Sequence, residues 1–154
     1  SFLISRLPAF LKNRSSRLIK SPRLHFTDSG LAAHIAGVTS LDPKSDEKLR
    51  GALFETYVAQ NLAALLEAHL PDARLSCWSE QGRYEVDFVI ESGRRVFALE
   101  VKASTRWSES DLSGLRAFLD RTPACEAAAL VYNGRDAVRL GDRLWAIPMG
   151  HLLD

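Results

Sequence analysis

Three residues carry types and spacing that could do chemistry: Asp87 in Glu85-Val86-Asp87-Phe88, and Glu100 and Lys102 in Leu99-Glu100-Val101-Lys102. Side chains alternate along a strand, so Glu100 and Lys102 share one face while Leu99 and Val101 take the other. Glu85 and Asp87 likewise share a face, opposite Val86 and Phe88. A two-residue turn at Gly93-Arg94, glycine first as a type II′ hairpin prefers, makes the pairing symmetric about it. Asp87 then falls opposite Glu100 and Glu85 opposite Lys102, with opposed Cβ atoms roughly 5 Å apart. Facing carboxylates repel unless a cation lies between them. Mg²⁺ takes one or two carboxylates plus water and phosphate oxygens, which suits Asp87 and Glu100 as metal ligands. Lys102 could then orient a water or stabilise charge growing on a phosphate, the chemistry of phosphodiester hydrolysis. Surface strands also carry Asp, Glu and Lys, and Lys102 could simply neutralise Glu85. Val89, Val96 and Ala98 on the same face make it partly apolar, which resembles a site more than a solvated surface.

The elements that must position these residues are legible in the apolar spacing. Strands are expected over Arg74–Trp78, Tyr84–Ile90 and Arg95–Lys102, separated by turns at Glu80-Gln81-Gly82 and Ser92-Gly93-Arg94. Before them, a long helix follows Asp42-Pro43, with Ser45 or Asp46 as N-cap and Pro71 as its end. Phe54, Val58, Leu62 and Leu65 form its apolar stripe, and Thr56, Gln60 and Glu67 are expected in water. Glu55 flanks that stripe, either at a wet rim or aimed at something that needs a carboxylate. A second helix starts at Ser108 with Asp111 as a capping-box partner, buries Leu112, Leu115, Phe118 and Leu119, and stops at Pro123. Ala127–Tyr132 reads as a strand, and Val138–Leu140 with Leu144–Ile147 as a closing hairpin. At the front, Phe2–Phe10 suits an edge strand or arm, Asn13–Ser16 a turn, and Arg17–Phe26 a second strand. Asp28 and its neighbours cap a short helix to about Ala36, which Gly37 ends.

At 154 residues the chain is one domain, or a domain with a remnant of another. Its start at Ser reads as a segment of a longer protein. No stretch is long and apolar enough to cross a bilayer, and Arg6 and Pro8 interrupt the first apolar run where a signal peptide would be continuous. Residues 1–27 carry six Lys or Arg and no acid, +6, while the rest carries 14 against 19 acids, −5, for a net +1. Such a leader can meet phosphates or face another part of a longer chain. Cys77 and Cys125 form no metal or redox pair and read as buried thiols, with a reducing, cytoplasmic setting as the default. His25, His34, His69 and His151 have no ligand spacing. Trp78, Trp107 and Trp145 read as packing residues, Trp107 beside Arg106 being the best placed to stack on a base.

Four motifs in order, Phe26-Thr27-Asp28-Ser29-Gly30-Leu31, Gly51-Ala52-Leu53-Phe54-Glu55, Glu85-Val86-Asp87-Phe88 and Leu99-Glu100-Val101-Lys102, resemble the DUF4143 domain. That domain is found at the C-terminus of prokaryotic AAA-type ATPases and resembles PD-(D/E)xK nucleases. The resemblance implies an α/β fold with a restriction-endonuclease-like core of helix, three-stranded meander, helix and strand, behind an N-terminal β extension. It implies that Asp87, Glu100 and Lys102 match the signature, with Glu55 as the acid supplied by the first helix. Val86 departs from the proline of that signature. Residues 1–27 would be the tail of a winged-helix-like module, and 28–154 the nuclease-like domain. The expected partners are the ATPase portion and DNA or RNA, with no membrane. No Gly-x-x-x-x-Gly-Lys-Ser/Thr loop occurs, so ATP binding of that kind is not expected of this segment. Two functions stand: a Mg²⁺-dependent nuclease, or a nuclease-like module that binds nucleic acid or protein without cutting.

Overall fold

The computed structural model describes residues 3–11, 21–40, 46–80 and 82–153. The expected turn at Asn13–Ser16, the strand start at Arg17–Lys20, Ser45 and Gln81 lie outside them. At the front, β1 (Ile4–Leu7) and β2 (Arg23–Phe26) pair antiparallel, shorter than the alternation predicts. Directly paired residues share a face, so Leu7, Arg23, Ser5 and His25 turn one way and Ile4, Phe26, Arg6 and Leu24 the other. Helix α1 (Ser29–Ile35) begins where the Asp28 side chain accepts the Leu31 N–H. Helix α2 (Glu47–His69) begins where Asp46 accepts the N–H groups of Lys48 and Leu49. Each cap satisfies donors that the first helical turn leaves open.

The meander follows as β3 (Arg74–Glu80), β4 (Tyr84–Ser92) and β5 (Arg95–Lys102), all antiparallel. A 3₁₀ turn (Glu109–Leu112) leads into α3 (Ser113–Arg121), and the reciprocal Ser108–Asp111 cap forms as expected. Strand β6 (Cys125–Tyr132) runs parallel to β5, so α3 is a crossover between parallel neighbours. The closing hairpin is β7 (Val138–Arg139) with β8 (Leu144–Pro148), and β8 lies parallel to β6. Helix α4 (Met149–Leu153), which the sequence pattern does not anticipate, ends the described chain. The six strands lie in the order β3-β4-β5-β6-β8-β7, a mixed sheet.

Both faces of that sheet are covered. On one, Leu112, Leu115 and Phe118 pack on Val86, Val89, Val96, Ala98 and Leu130. On the other, Val58, Ala59 and Leu62 of α2 pack on Phe88, Leu99 and Val131. Each fully buried Leu or Phe contributes about 1.5–3 kcal/mol by leaving water, so these two layers dominate the stability. The chain from Leu7 to Phe10 crosses from one layer to the other at the β3 edge. Phe10 N–H bonds the Cys77 carbonyl at 2.6 Å and Cys77 N–H bonds the Pro8 carbonyl at 2.9 Å. Leu7 joins the α2 layer, and Phe10 meets the Phe118 ring edge-on at 5.4 Å in the other.

One expectation fails on α2. Thr56 is buried rather than wet, its hydroxyl donating to the Ala52 carbonyl, and Gln60 accepts the Ser29 N–H. The helix is covered by the sheet on one side and by α1 and β2 on another, so one apolar stripe does not describe it. Cys77 and Cys125 are buried as expected, and burial raises both thiols, Cys125 to about 11. Trp78 and Trp107 pack against the α3 layer. Among the described residues no helix is long and apolar enough to cross a membrane.

Candidate functional site

The hairpin register comes out as the turn chemistry dictates. Ser92 pairs with Arg95 and Phe88 with Leu99 about Gly93-Arg94, and Gly93 takes the positive φ of 62° that such a turn needs. Beyond Phe88–Leu99 the two strands stop exchanging ladder bonds, and the acids take over. Asp87 Oδ2 accepts the Val101 N–H at 2.9 Å, and Glu100 Oε2 accepts the Asp87 N–H at 3.3 Å. Asp87 and Glu100 therefore meet, as the symmetric pairing predicts, by bonding each other's strand.

The expected faces do not hold, because β4 carries an extra residue. Ser76 pairs with Val89 and Trp78 with Val86, two steps on β3 against three on β4. This bulge lets Val86 and Val89 both enter the α3 layer despite their odd spacing, while Phe88 enters the α2 layer. Glu85 and Asp87 consequently do not sit on one regular face with Val89. Asp87 turns toward α2 and β2, and is buried there.

What it meets there is Arg23. One guanidinium nitrogen, Nη1, donates to Asp87 Oδ1 at 2.7 Å and to Glu55 Oε1 at 2.9 Å, and Nη2 reaches Glu85 Oε2 at 3.3 Å. Glu55 is thus aimed inward at a cation supplied by the chain itself. Burial works against the charge of Arg23, but the hydrogen bond and charge of Asp87, then Glu55, outweigh it and raise the guanidinium above its ordinary pKa. Burial and then Glu55 raise Asp87, against the pull of the Val101 N–H and Arg23. Burial, then Asp87, pushes Glu100 up to about 9. Glu100 meets the Asp87 N–H and not the guanidinium. His25 stacks by Phe88 with its Nε2 buried and unpartnered, 3.8 Å from Glu55 Oε1, and burial and then Arg23 lower its pKa.

Lys102 takes another direction. Its ammonium pairs with Asp111 Oδ1 rather than with Glu85 or the Asp87–Glu100 pair. Asp111 Oδ2 also accepts the Ser108 N–H at 2.7 Å and its hydroxyl at 2.9 Å, so one carboxylate caps the 3₁₀ turn and holds the lysine. Burial pulls Asp111 up, but Lys102 and Ser108 outweigh it and lower its pKa. The structure thus brings Asp87, Glu100 and Glu55 together and pairs Lys102 with Asp111 instead. Sequence reasoning missed Arg23, whose only signal was a cation in an acid-free segment. With its guanidinium between Glu55 and Asp87, the donor set does not fit a divalent cation in this arrangement. Among the described residues no three or more His, Cys, Asp or Glu are arranged to hold a metal ion.

Glu100 yields a pH prediction. Its folded pKa lies above the unfolded value of about 4.3, so the stability tied to its proton is complete below that pH and lost as pH rises toward 9. The slope approaches about 1.4 kcal/mol per pH unit for one proton. Glu100→Gln keeps a neutral side chain at every pH. Urea unfolding at pH 5, 7 and 9 should show a falling wild type and a flatter variant, more stable at the alkaline end.

An apolar pocket of about 470 Å³ opens at the C-terminal ends of β5, β6 and β8, where Ala103 follows Lys102. Leu53, Phe54, Tyr57, Asn133 and Met149 also line it, and Tyr57 is 40% exposed.

The model for the domain of unknown function DUF4143 matches residues 50–152, and that for the domain of unknown function DUF8612 matches residues 1–42. Arg23 therefore belongs to one matched segment and the acids it binds to the other. Uncharacterized proteins of Mycobacterium bovis and Mycobacterium tuberculosis are each 29% identical over 154 residues, 99% of this chain and 33% of theirs. The chain thus spans a third of the length of these curated relatives. A refined half-complex from the tetradecameric assembly of Thermococcus gammatolerans McrB AAA+ hexamers with bound McrC is 17% identical, with a TM-score of 0.45 over 64% of this chain and 27% of that one. With its model covering more than half the length, the chain belongs to the DUF4143 family, a domain of unknown function.

Proposed function

We propose that this chain is the nuclease-like C-terminal module of a cytoplasmic AAA-type ATPase, and that it binds nucleic acid without cutting it. The observation that carries this reading is the guanidinium of Arg23 between Glu55 and Asp87, with Lys102 held apart by Asp111. A hydrolytic site needs its carboxylates free for Mg²⁺ and its lysine beside them. Here the residues expected to do that work are engaged with one another and with Arg23 of β2. The association with an ATPase follows from the resemblance to domains found at the end of such proteins, and the restriction-endonuclease-like core from the same resemblance together with the order of α2, the meander, α3 and β6.

Two features favour a nucleic acid as the thing bound. Residues 1–27 carry no acid and five cations besides Arg23, which suits phosphates. The pocket beside Ala103 offers Tyr57 and Phe54 to an unstacked base. Binding of labelled single-stranded and duplex oligonucleotides by anisotropy, with gel analysis under Mg²⁺ or Mn²⁺, tests the reading. Binding without new fragments is expected, and Tyr57→Ala should weaken single-strand binding by about 1–3 kcal/mol. Metal-dependent cleavage by the wild type, lost in Asp87→Asn, would instead establish the nuclease. Absence of binding to any nucleic acid would leave protein contacts of the ATPase as the role.

A further inference from the structure

We infer that Arg23 is the resident cation of the acid cluster: its guanidinium stands in the place of a divalent metal, and the cluster takes such a metal only when Arg23 is withdrawn. This deepens the reading above and rests on it, since a cluster held by arginine is one that binds without cutting. Asp87 and Glu55 come from β4 and α2, and Arg23 bridges them with a single nitrogen at 2.7 and 2.9 Å. That is the geometry of a cation seated between two carboxylates, and a metal ion and a guanidinium cannot share it.

The guanidinium does not satisfy the whole site. His25 is 8% exposed and its Nε2 has no hydrogen-bond partner, although it lies 3.8 Å from Glu55 Oε1. A buried nitrogen left without a partner is unfavourable, so this arrangement carries a penalty that another could relieve. Arg23 is also the part of the cluster best placed to leave. It sits at the end of the β1–β2 ladder with its side chain 26% exposed, and the next residue, Leu24, is 58% exposed. The β1–β2 pair is anchored by Leu7 to Phe10 against β3 and by buried His25 against Phe88. A turn of the part-exposed Arg23 side chain can therefore withdraw the guanidinium while His25 and Phe10 stay in place. Because Arg23 lies in the segment matched as 1–42 and the acids in the segment matched as 50–152, the contact links two modules, and whatever moves the first governs the charge of the second.

The test is calorimetric titration of Mn²⁺ into the whole chain, wild type beside Arg23→Gln and Arg23→Gln with Asp87→Asn, with a melting curve for each. The wild type should show no saturable binding. Arg23→Gln should bind Mn²⁺ about tenfold or more tighter, with a Tm that rises with Mn²⁺, and the added Asp87→Asn should abolish both. Should Arg23→Gln fail to fold alone, recovery of a cooperative melt in Mn²⁺ supports the inference and failure to recover overturns it. It is equally overturned if the wild type binds Mn²⁺ as tightly as the variant, or if a folded Arg23→Gln binds none. Cleavage by the wild type would sink the binding-module reading, whereas a folded but metal-blind Arg23→Gln sinks only this inference.

Discussion

Arg23→Ala is expected to lower the stability of this domain by about 3 kcal/mol, the low end of what removing one partner from a buried ion pair costs. The low end is chosen because the guanidinium keeps 26% of its side-chain surface in water. The loss is not that of an ordinary surface bridge, which is worth about 0–1 kcal/mol. Asp87 is buried, and Arg23 and the Val101 N–H are what oppose the rise in its pKa from burial and from Glu55. Without the guanidinium, Asp87 and Glu55 face each other uncompensated, and folding has to protonate one or separate them. The deficit should therefore grow as pH rises through the range in which Asp87 ionises, which burial and Glu55 set above the ordinary carboxylate value, and shrink below it. Denaturant melts at pH 4 and pH 7.5 measure this, and an equal loss at both would show that packing rather than charge is what Arg23 contributes.

Two companion variants assign the effect. Adding Asp87→Asn to Arg23→Ala removes the charge left uncompensated, so the double variant should be no less stable than Arg23→Ala alone. The difference from additivity gives the coupling of the pair. Arg23→Lys retains the charge but not the planar fork that reaches Glu55, Asp87 and Glu85 together, so it should fall between the wild type and Arg23→Ala.

The contrast between what could and could not be read from the residues has a physical basis. The β4–β5 register was legible because it depends on local terms, a glycine that accepts a positive φ and a strict period of two. The meeting of Asp87 and Glu100 followed from that register. The bulge was not legible, because the extra residue on β4 is set by its partner β3, which Pro8 and Phe10 hold from its other edge. One displaced residue reverses the face of every side chain beyond it, so the alternation placed Asp87 beside Val89 when it turns toward α2. Asp111 was legible as a cap, since its partner Ser108 is three residues away, but its grip on Lys102 depends on where the 3₁₀ turn lands against β5. The bond from Arg23 to Asp87 spans 64 residues and joins β2 to β4, which lie in different sheets. Only charge hinted at it, through a front segment without acids beside a body with an excess of them.

Gly114→Ala is expected to be the most damaging small change outside that cluster, costing about 3 kcal/mol, at the top of the usual range for overpacking. Gly114 lies in the first turn of α3 where the helix meets the start of β4. A Cβ there would stand 1.9 Å from the Glu85 carbonyl oxygen and 3.1 Å from its carbon. Both atoms are backbone, so no side chain can swing aside, and either α3 must back away or β4 must move. Alanine would otherwise favour the helix by about 1 kcal/mol, so any net loss reads the contact directly. Backing away opens the layer formed by Leu112, Leu115 and Phe118, all fully buried. Moving β4 shifts Glu85, two residues from Asp87, and loosens the grip of Arg23. The two responses separate experimentally. If β4 gives way, combining Gly114→Ala with Arg23→Ala should cost less than the sum of the two. If α3 gives way, the costs should add, and the acid cluster should keep its geometry beneath a looser core.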